Sequence, residues 1–327
     1  MTQILTDQFG RNHNYLRISL LERCNLRCHY CMPAEGIPLR DKKEFMSQEE
    51  LFEIVQTFVK LGINKIRLTG GEPLIKKNFP EILKFLAQQE VDLNITTNGI
   101  LLDQYWDNLK DAKVETLNIS LDSLLEDKFN KISRRKYFDR IYKNIFIAIE
   151  KGFKVKLNVV LIKDENDDEI NDFIRLTKDH DLNVRFIEFM PFDGNNWDRS
   201  RTVSEKSILE LVQKEFPNSL SQLESEANST SHNFKINGFK GSFGIISTVT
   251  NPFCDGCNRL RLTADGKIKN CLFSNNETDI LSALRSDKSI IPLIENAVQK
   301  KNRKLGGISS FDQDAEIKNR SMTTIGG

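Results

Sequence analysis

The sequence contains no apolar run of the roughly 18 residues that a membrane span needs. Its first residues, MTQILTDQFGRNHNYLRISL, lack a basic segment followed by an apolar core. The expectation is a cytoplasmic protein with no membrane partner. Excess charge is missing too: 47 Lys and Arg face 46 Asp and Glu, a net charge of +1. That excludes binding of a polyanion by bulk charge, and no basic–aromatic interleaving marks a nucleic-acid surface. Any phosphate must be held by locally placed Arg and Lys. No repeat beyond an alternation of strands and helices is visible, and no low-complexity tract. Cysteine is sparse, and its six positions are not scattered as small core hydrophobes would be.

The six cysteines form two triplets: Cys24, Cys28 and Cys31, then Cys254, Cys257 and Cys271. In the first, three and then two residues separate the thiols, a spacing suited to a metal or an iron–sulfur cluster. A four-iron cube held by three thiolates keeps one iron free of protein ligands, open to a substrate or cofactor. Two other readings stay open on spacing alone. A disulfide would strand one thiol of three and belongs to oxidising compartments. A zinc ion needs a fourth ligand, for which His29 stands in the first loop and His232 is the nearest histidine to the second.

Residues 15 to 190 alternate β-rich runs with amphipathic segments. Strands are expected at Tyr15–Leu20, Lys65–Thr69, Leu93–Thr97, Glu115–Ser120, Lys156–Leu161 and Val184–Phe189, several nearly continuous in apolar or β-branched residues, as strands covered on both faces should be. Ser47 to Glu50 reads as a capping box opening a helix, and Asn78–Ala87, Phe138–Ile149 and Asp168–Lys178 continue the helical pattern. The expected fold is α/β, a partial (βα)6 barrel over residues 1–199. Residues 200–327 form a C-terminal extension carrying the second cysteine triplet and closing the barrel. In it, 219–231 reads as an exposed loop, Phe234–Thr250 as strands, Leu281–Val298 as a helix interrupted at Pro292, and Lys300–Lys304 as a solvated basic run. The first cysteine loop, Gly70-Gly71-Glu72-Pro73, Thr97-Asn98-Gly99, Ser120-Leu121-Asp122 and Met190-Pro191 all fall at carboxyl ends of strands, where such sheets carry their chemistry.

Cys24, Cys28 and Cys31, with Tyr30 beside the last, resemble the signature of radical S-adenosylmethionine enzymes, and Gly70-Gly71-Glu72-Pro73 resembles that family's glycine-rich segment. Cys254-Asp255-Gly256-Cys257-Asn258-Arg259-Leu260-Arg261 with Cys271 resembles the auxiliary-cluster segment of the GTP 3′,8-cyclase family within it. Thr96-Thr97-Asn98-Gly99, Asn118 to Asp122, Asn158-Val159-Val160, Arg185 to Pro191 and the terminal Gly326-Gly327 are similar as well. Leu20-Leu21-Glu22-Arg23 departs from the family's usual Thr-Asp-Arg.

The resemblance implies two 4Fe-4S clusters, one on Cys24, Cys28 and Cys31 and one on Cys254, Cys257 and Cys271, with S-adenosylmethionine at the first. It implies cleavage of that cofactor to a 5′-deoxyadenosyl radical, hydrogen abstraction from C3′ of GTP and closure onto C8, a lyase reaction that opens molybdenum cofactor biosynthesis. Tyr30, Gly71, Ser120 and Met190 are the implied cofactor contacts. Arg17, Arg67, Thr96, Lys156, Arg259 and Arg261 are the implied GTP contacts, with Arg185 and Asn158 nearby; Arg17 also joins the catalytic set with the first three cysteines. The terminal glycines would reach into the site. Implied partners are a low-potential electron donor and the downstream cyclic pyranopterin monophosphate synthase. The assembly state, a homodimer among the candidates, is not legible. A peptide-modifying radical enzyme is the competing reading, though such enzymes usually carry a longer C-terminal cysteine array; a zinc or nucleic-acid-binding protein is the third.

Overall fold

The structure, a computed structural model, describes residues 4–38, 40–224, 228–309, 311 and 319–327. Strands β1 (Tyr15–Ser19), β2 (Lys65–Thr69), β3 (Asp92–Thr97), β4 (Thr116–Ser120), β5 (Lys154–Leu161) and β6 (Leu182–Glu188) pair in sequence order and in parallel. Helices α1 (Gln48–Lys60), α2 (Phe79–Leu86), α3 (Trp106–Asp111), α4 (Glu126–Ser133), α5 (Phe138–Glu150) and α6 (Ile170–Arg175) make the crossovers.

After α7 (Glu205–Glu215), the chain extends this sheet at both edges. On the β6 side come β7 (Leu220–Gln222), β8 (His232–Ile236) and β9 (Ser242–Ile246), with β9 parallel to β6. On the β1 side come β10 (Arg259–Leu262), parallel to β1, then β11 (Lys267–Lys269) and β12 (Thr278–Asp279). The result is one open sheet with β12 and β7 at its ends, a partial barrel. Short helices α8 (Leu281–Leu284), α9 (Ile291–Gln299) and α10 (Met322–Ile325) complete the chain. Among the described residues no helix is long and apolar enough to cross a membrane.

The capping box forms as expected. Ser47 Oγ accepts from Glu50 N at 3.2 Å, and the Glu50 carboxylate accepts from Ser47 N at 2.7 Å. Four α1 residues then bury one stripe on the sheet: Leu51, Ile54, Val55 and Phe58. The strands differ from expectation in one respect. Only their outward residues, such as Leu16, Ile18, Ile66, Leu68, Leu117 and Leu157, join the apolar core. Their inward neighbours include Arg17, Arg67, Thr96, Asn118 and Lys156. The strands thus alternate with period two, because the space they enclose is a polar lumen instead of a second core.

Three boundaries also shift. The helix expected over Leu281–Val298 is two, broken at 285–290, where Asp287 takes a left-handed φ of 53°. Pro292 opens the second helix and does not interrupt it: a proline costs nothing in a first turn, where its missing N–H has no partner anyway. Within the loop expected at 219–231, Leu220–Gln222 is a strand, and residues 225–227 lie outside the described residues. In the run expected to be solvated, Lys301 is 2% exposed.

Phe58 has no exposed surface on the helix side of the sheet. Phe58→Ala is expected to cost about 3–5 kcal/mol, read as a lowered urea midpoint with an unchanged slope.

Candidate active site

The lumen is built by strand register. Tyr15 lies beside Lys65 and Arg259, and Arg17 beside Arg67 and Arg261, on the neighbours either side of β1. The Arg17 and Arg67 guanidinium carbons sit 5.7 and 5.6 Å from the Tyr15 ring centroid, and Lys65 Nζ sits 5.7 Å from it. One aromatic ring therefore gathers three cations. Arg17 groups with these lumen arginines and lies on the strand, below the cysteine loop.

The field here is positive. The chief charges acting on Arg17, Arg67 and Arg261 are one another, Arg185, Arg259, Tyr15 and Cys271, and no carboxylate is among them. Burial, then neighbouring arginines, pull Arg17 down to about 10 and Arg261 well below its ordinary value. Burial would raise Tyr15, but Arg67, Arg17, Lys65 and Arg259 outweigh it and lower the phenol. Buried polar atoms without a hydrogen-bond partner include Tyr15 Oη, Arg17 Nε, Arg67 Nε, Arg259 Nη1, Thr96 Oγ1 and Asn118 Oδ1. Unpaired buried donors among uncompensated cations are what an anionic, hydrogen-bonding ligand requires. Across the sheet, Thr96, Asn118 and Lys156 share one register line and Ser120, Asn158 and Arg185 the next.

The first cysteine loop follows β1 at the carboxyl ends of the strands. All six cysteines are free thiols. Leu26 N donates to Cys24 Sγ at 3.4 Å, and Asn98 Nδ2 approaches the same sulfur at 3.7 Å. The glycine-rich segment docks on this loop through backbone bonds, Gly71 N to Leu21 O and Glu72 N to Arg23 O, both 2.8 Å. A Cβ at Gly71 would lie 2.2 Å from Arg23 O, so only glycine lets the two segments meet. Glu72, missed in the motif reading beyond its place in GGEP, accepts from Thr97 Oγ1, Asn98 N and Leu74 N, and burial pushes it up to about 7. Tyr30 Oη donates to Asp122 at 2.6 Å, and burial raises that carboxyl to about 6. Ser120 ends β4 below the loop, and Met190 packs half-buried against Phe192, Phe273, Phe311 and Ile325.

Burial, with Glu72 nearby, pushes Cys24 up to about 11; burial, Cys24 and Asp122 push Cys31 up to about 12; Cys28 rises well above its ordinary value. Three such thiols resist ionising unaided, and a cationic centre between them would supply the missing compensation. Among the described residues both candidate histidines for a fourth zinc ligand are engaged by carboxylates. His29 Nε2 pairs with Glu165 at 2.5 Å, and Glu165 also accepts from Arg201 at 2.7 Å. His232 pairs with Glu205 at 2.7 Å. Among the described residues no three His, Cys, Asp or Glu side chains converge tightly enough to hold a single metal ion. A four-iron cube spaces its thiolates more widely than a single zinc ion does, and the donor sets present are three thiols each.

The second triplet sits at the other mouth. Cys257 precedes β10 by two residues, at the end where β1 begins, and Cys271 follows β11, which runs back to that end. Leu305 N donates to Cys254 Sγ at 3.4 Å and Lys301 Nζ to Cys257 Sγ at 3.4 Å. Burial would raise Cys257, but Arg259 and Lys301 pull it down to about 6. Lys301 was not foreseen: beside Lys300 in a basic run, it carries no periodic signal of burial.

Gly326 lies against the strand row of β1, β2 and β10. Arg261 Nη1 donates to Gly326 O. A Cβ at Gly326, whose φ is 87°, would lie 2.5 Å from Thr69 Oγ1 and 2.9 Å from Ser19 Cβ. The tail is latched by Arg320, which makes two 2.9 Å bonds to Asp265 and a 2.7 Å bond to Glu277. Asp265, in the β10–β11 turn, also lies 3.4 Å from Arg40, which bonds Glu22 at 2.9 Å just ahead of Cys24.

Residues 18–177 match the model of the radical SAM superfamily, and residues 182–306 match that of Molybdenum Cofactor Synthesis C. The chain is 46% identical over its whole length to "GTP 3′,8-cyclase, mitochondrial" of Arabidopsis thaliana, covering 84% of that protein. It is 46% identical over 91% of its length to "Molybdenum cofactor biosynthesis protein 1" of Drosophila melanogaster, but spans only 54% of it. Among solved structures, SuiB of Streptococcus suis bound to S-adenosylmethionine aligns over 94% of this chain and 69% of its own, with a TM-score of 0.61 and 16% identity, a likeness of fold.

The latch has a defined pH dependence. Burial would raise Asp265, but Arg320 and Thr263 outweigh it and hold the carboxyl near 2, below its ordinary 3.8. Its stabilisation is therefore present above about pH 4 and lost as pH falls toward 2. Asp265→Asn is expected to destabilise the protein at pH 7, with a gap to the native chain that narrows on acidification. It also exposes residues 319–327 to carboxypeptidase at neutral pH; equal tail protection in both proteins counts against the latch.

Proposed function

Because the chain belongs to the GTP 3′,8-cyclase family of the radical SAM superfamily, we propose that it converts GTP to 3′,8-cyclo-7,8-dihydroguanosine triphosphate, the first step of molybdenum cofactor biosynthesis. The observation that supports the reading is a buried row of arginines, Arg17, Arg67 and Arg261, whose chief charged neighbours among the described residues include no carboxylate, set between two three-thiol loops. In this reading Cys24, Cys28 and Cys31 hold one four-iron cluster with S-adenosylmethionine, and Cys254, Cys257 and Cys271 hold another. When bound, the first cluster and its cofactor supply the 5′-deoxyadenosyl radical that starts ring closure between C3′ and C8.

The chain's own residues then have separate tasks. Tyr30, Gly71, Ser120 and Met190 line the cofactor; Glu72 and Asp122 fix Asn98 and Tyr30 around it. Arg17, Arg67, Lys156 and Arg261 meet the triphosphate with charge-assisted bonds, Thr96 orients the nucleotide, and Arg259 stands between it and the second cluster. The Gly-Gly tail closes the lumen against Arg261 and helps keep water from the reacting carbons. The division near residue 199 separates the barrel from the segment that brings the second mouth and the tail. The reaction calls for a low-potential electron donor, and its reactive product for a following synthase. Six free thiols suit the reducing cytoplasm.

Anaerobic incubation of the reduced, reconstituted protein with S-adenosylmethionine and GTP is expected to give 5′-deoxyadenosine and the cyclised nucleotide, with roughly eight irons per chain. No cyclised nucleotide, together with turnover of a peptide, would sink the proposal. Arg67→Met is expected to weaken GTP binding at least about tenfold, or 1.4 kcal/mol, while cofactor cleavage without GTP persists. Gly326→Ala, which drives a methyl into Thr69 and Ser19, is expected to displace the tail and cut turnover at least about tenfold with iron content unchanged.

A further inference from the structure

Lys301 is a buried cation, 2% exposed at the end of α9, and no carboxylate among the described residues lies within ion-pair distance of it. Its ammonium has two recorded acceptors, Cys257 Sγ at 3.4 Å and Arg259 O at 2.8 Å. A frame from the N-terminal hook holds it there. Gln8 Nε2 donates to Lys301 O at 3.2 Å. Arg11, paired with Asp7 at 2.6 Å, donates to Asn302 O, Arg303 O and Cys254 O at 2.9–3.0 Å. The nearby His13 ring is pulled down to about 4 by burial and then by Lys301, so it adds no positive charge at neutral pH.

A desolvated ammonium without a carboxylate needs another anion, and the atom it touches is Cys257 Sγ, which as a cluster ligand would be a thiolate. Among the described residues no cation donates to a sulfur of the first loop: Cys24 Sγ receives a backbone N–H and an amide, Arg27 donates to the Cys24 carbonyl and not to its sulfur, and the other charged neighbours include Glu72 and Asp122. A hydrogen-bonded positive charge stabilises the more negative, reduced form of a cluster.

We propose that Lys301 is a positioning residue of the second cluster: its ammonium binds the Cys257 thiolate, raises the reduction potential of that cluster and fixes Arg259 beside it. The proposal rests on reading Cys254, Cys257 and Cys271 as cluster ligands.

The test is an anaerobic redox titration of the full reconstituted chain followed by EPR, the first cluster serving as internal reference. Lys301→Met is expected to lower the midpoint of the second cluster by at least a tenfold change in its reduction equilibrium, about 59 mV for one electron, and to leave the first unchanged. Lys301→Arg is expected to stay near the native value. If Lys301→Met does not fold, Lys301→Gln, neutral but still a donor, is judged by the same criterion. Loss of about four irons in the neutral variant that Lys301→Arg restores also supports the role. Unchanged midpoints at full iron content, or equal loss of iron in both variants, overturn it. A native chain with about four irons instead removes the cluster reading itself, and the proposal with it.

Discussion

The site depends on the parallel pairing of β10 with β1. That single register sets Arg259 beside Tyr15 and Arg261 beside Arg17, and the pairing of β1 with β2 adds Arg67 to the row. It also separates the two cysteine loops. One follows the end of β1 and the other precedes the start of β10, and in a parallel pair those ends are opposite mouths. Five residues of β1 span about 16 Å, enough to place a nucleotide between them. An antiparallel β10 would have reversed this order and brought its cysteines toward the first loop.

A row of buried arginines opposes folding, so stability must come from elsewhere. It comes from the outer face, where Leu16, Ile18, Ile66, Leu68 and their neighbours pack without exposure against α1, α2 and the other crossover helices. The sheet divides its labour by the pleat: odd positions of β1 face the lumen, even positions face the core. Cys257 of the second loop then sits in a field opposite to that of the first three thiols. Glu72 and Asp122 help push the first set of thiols up, whereas Arg259 and Lys301 pull Cys257 down to about 6. Similar three-cysteine patterns in sequence thus become electrostatically different sites.

Much of this was legible beforehand because it is local. The capping box at Ser47, the six strands, and glycine-rich and cysteine segments at strand ends follow from periodicity and spacing. The alternation inside the strands was also on the page, in Tyr15-Leu16-Arg17-Ile18, but β-branched residues masked it as a doubly covered pattern. What stayed hidden depends on contacts that are tens to hundreds of residues apart. Nothing near Lys301 announces that it meets Cys257, and nothing near Arg11 that it holds Cys254. Pro292 misled because a proline's meaning depends on whether the helix has already begun.

Asp265 shows how such distant contacts join the parts into one device. Its carboxylate, in the turn after β10, takes Arg320 from the tail and Arg40 from the segment after the first cysteines, and Arg40 reaches on to Glu22. Glu22 lies two residues before Cys24, and its carbonyl would be 2.6 Å from a Cβ at Gly71. Arg320 lies six residues before Gly326, whose carbonyl accepts from Arg261. The loop carrying the first thiols and the tail filling the lumen are therefore tied to the same turn, the one that also fixes the arginine strand. The tail and the first cysteine loop thus share one buried carboxylate, with Arg320 at 2.9 Å and Arg40 at 3.4 Å from it, so the same turn helps to seat both.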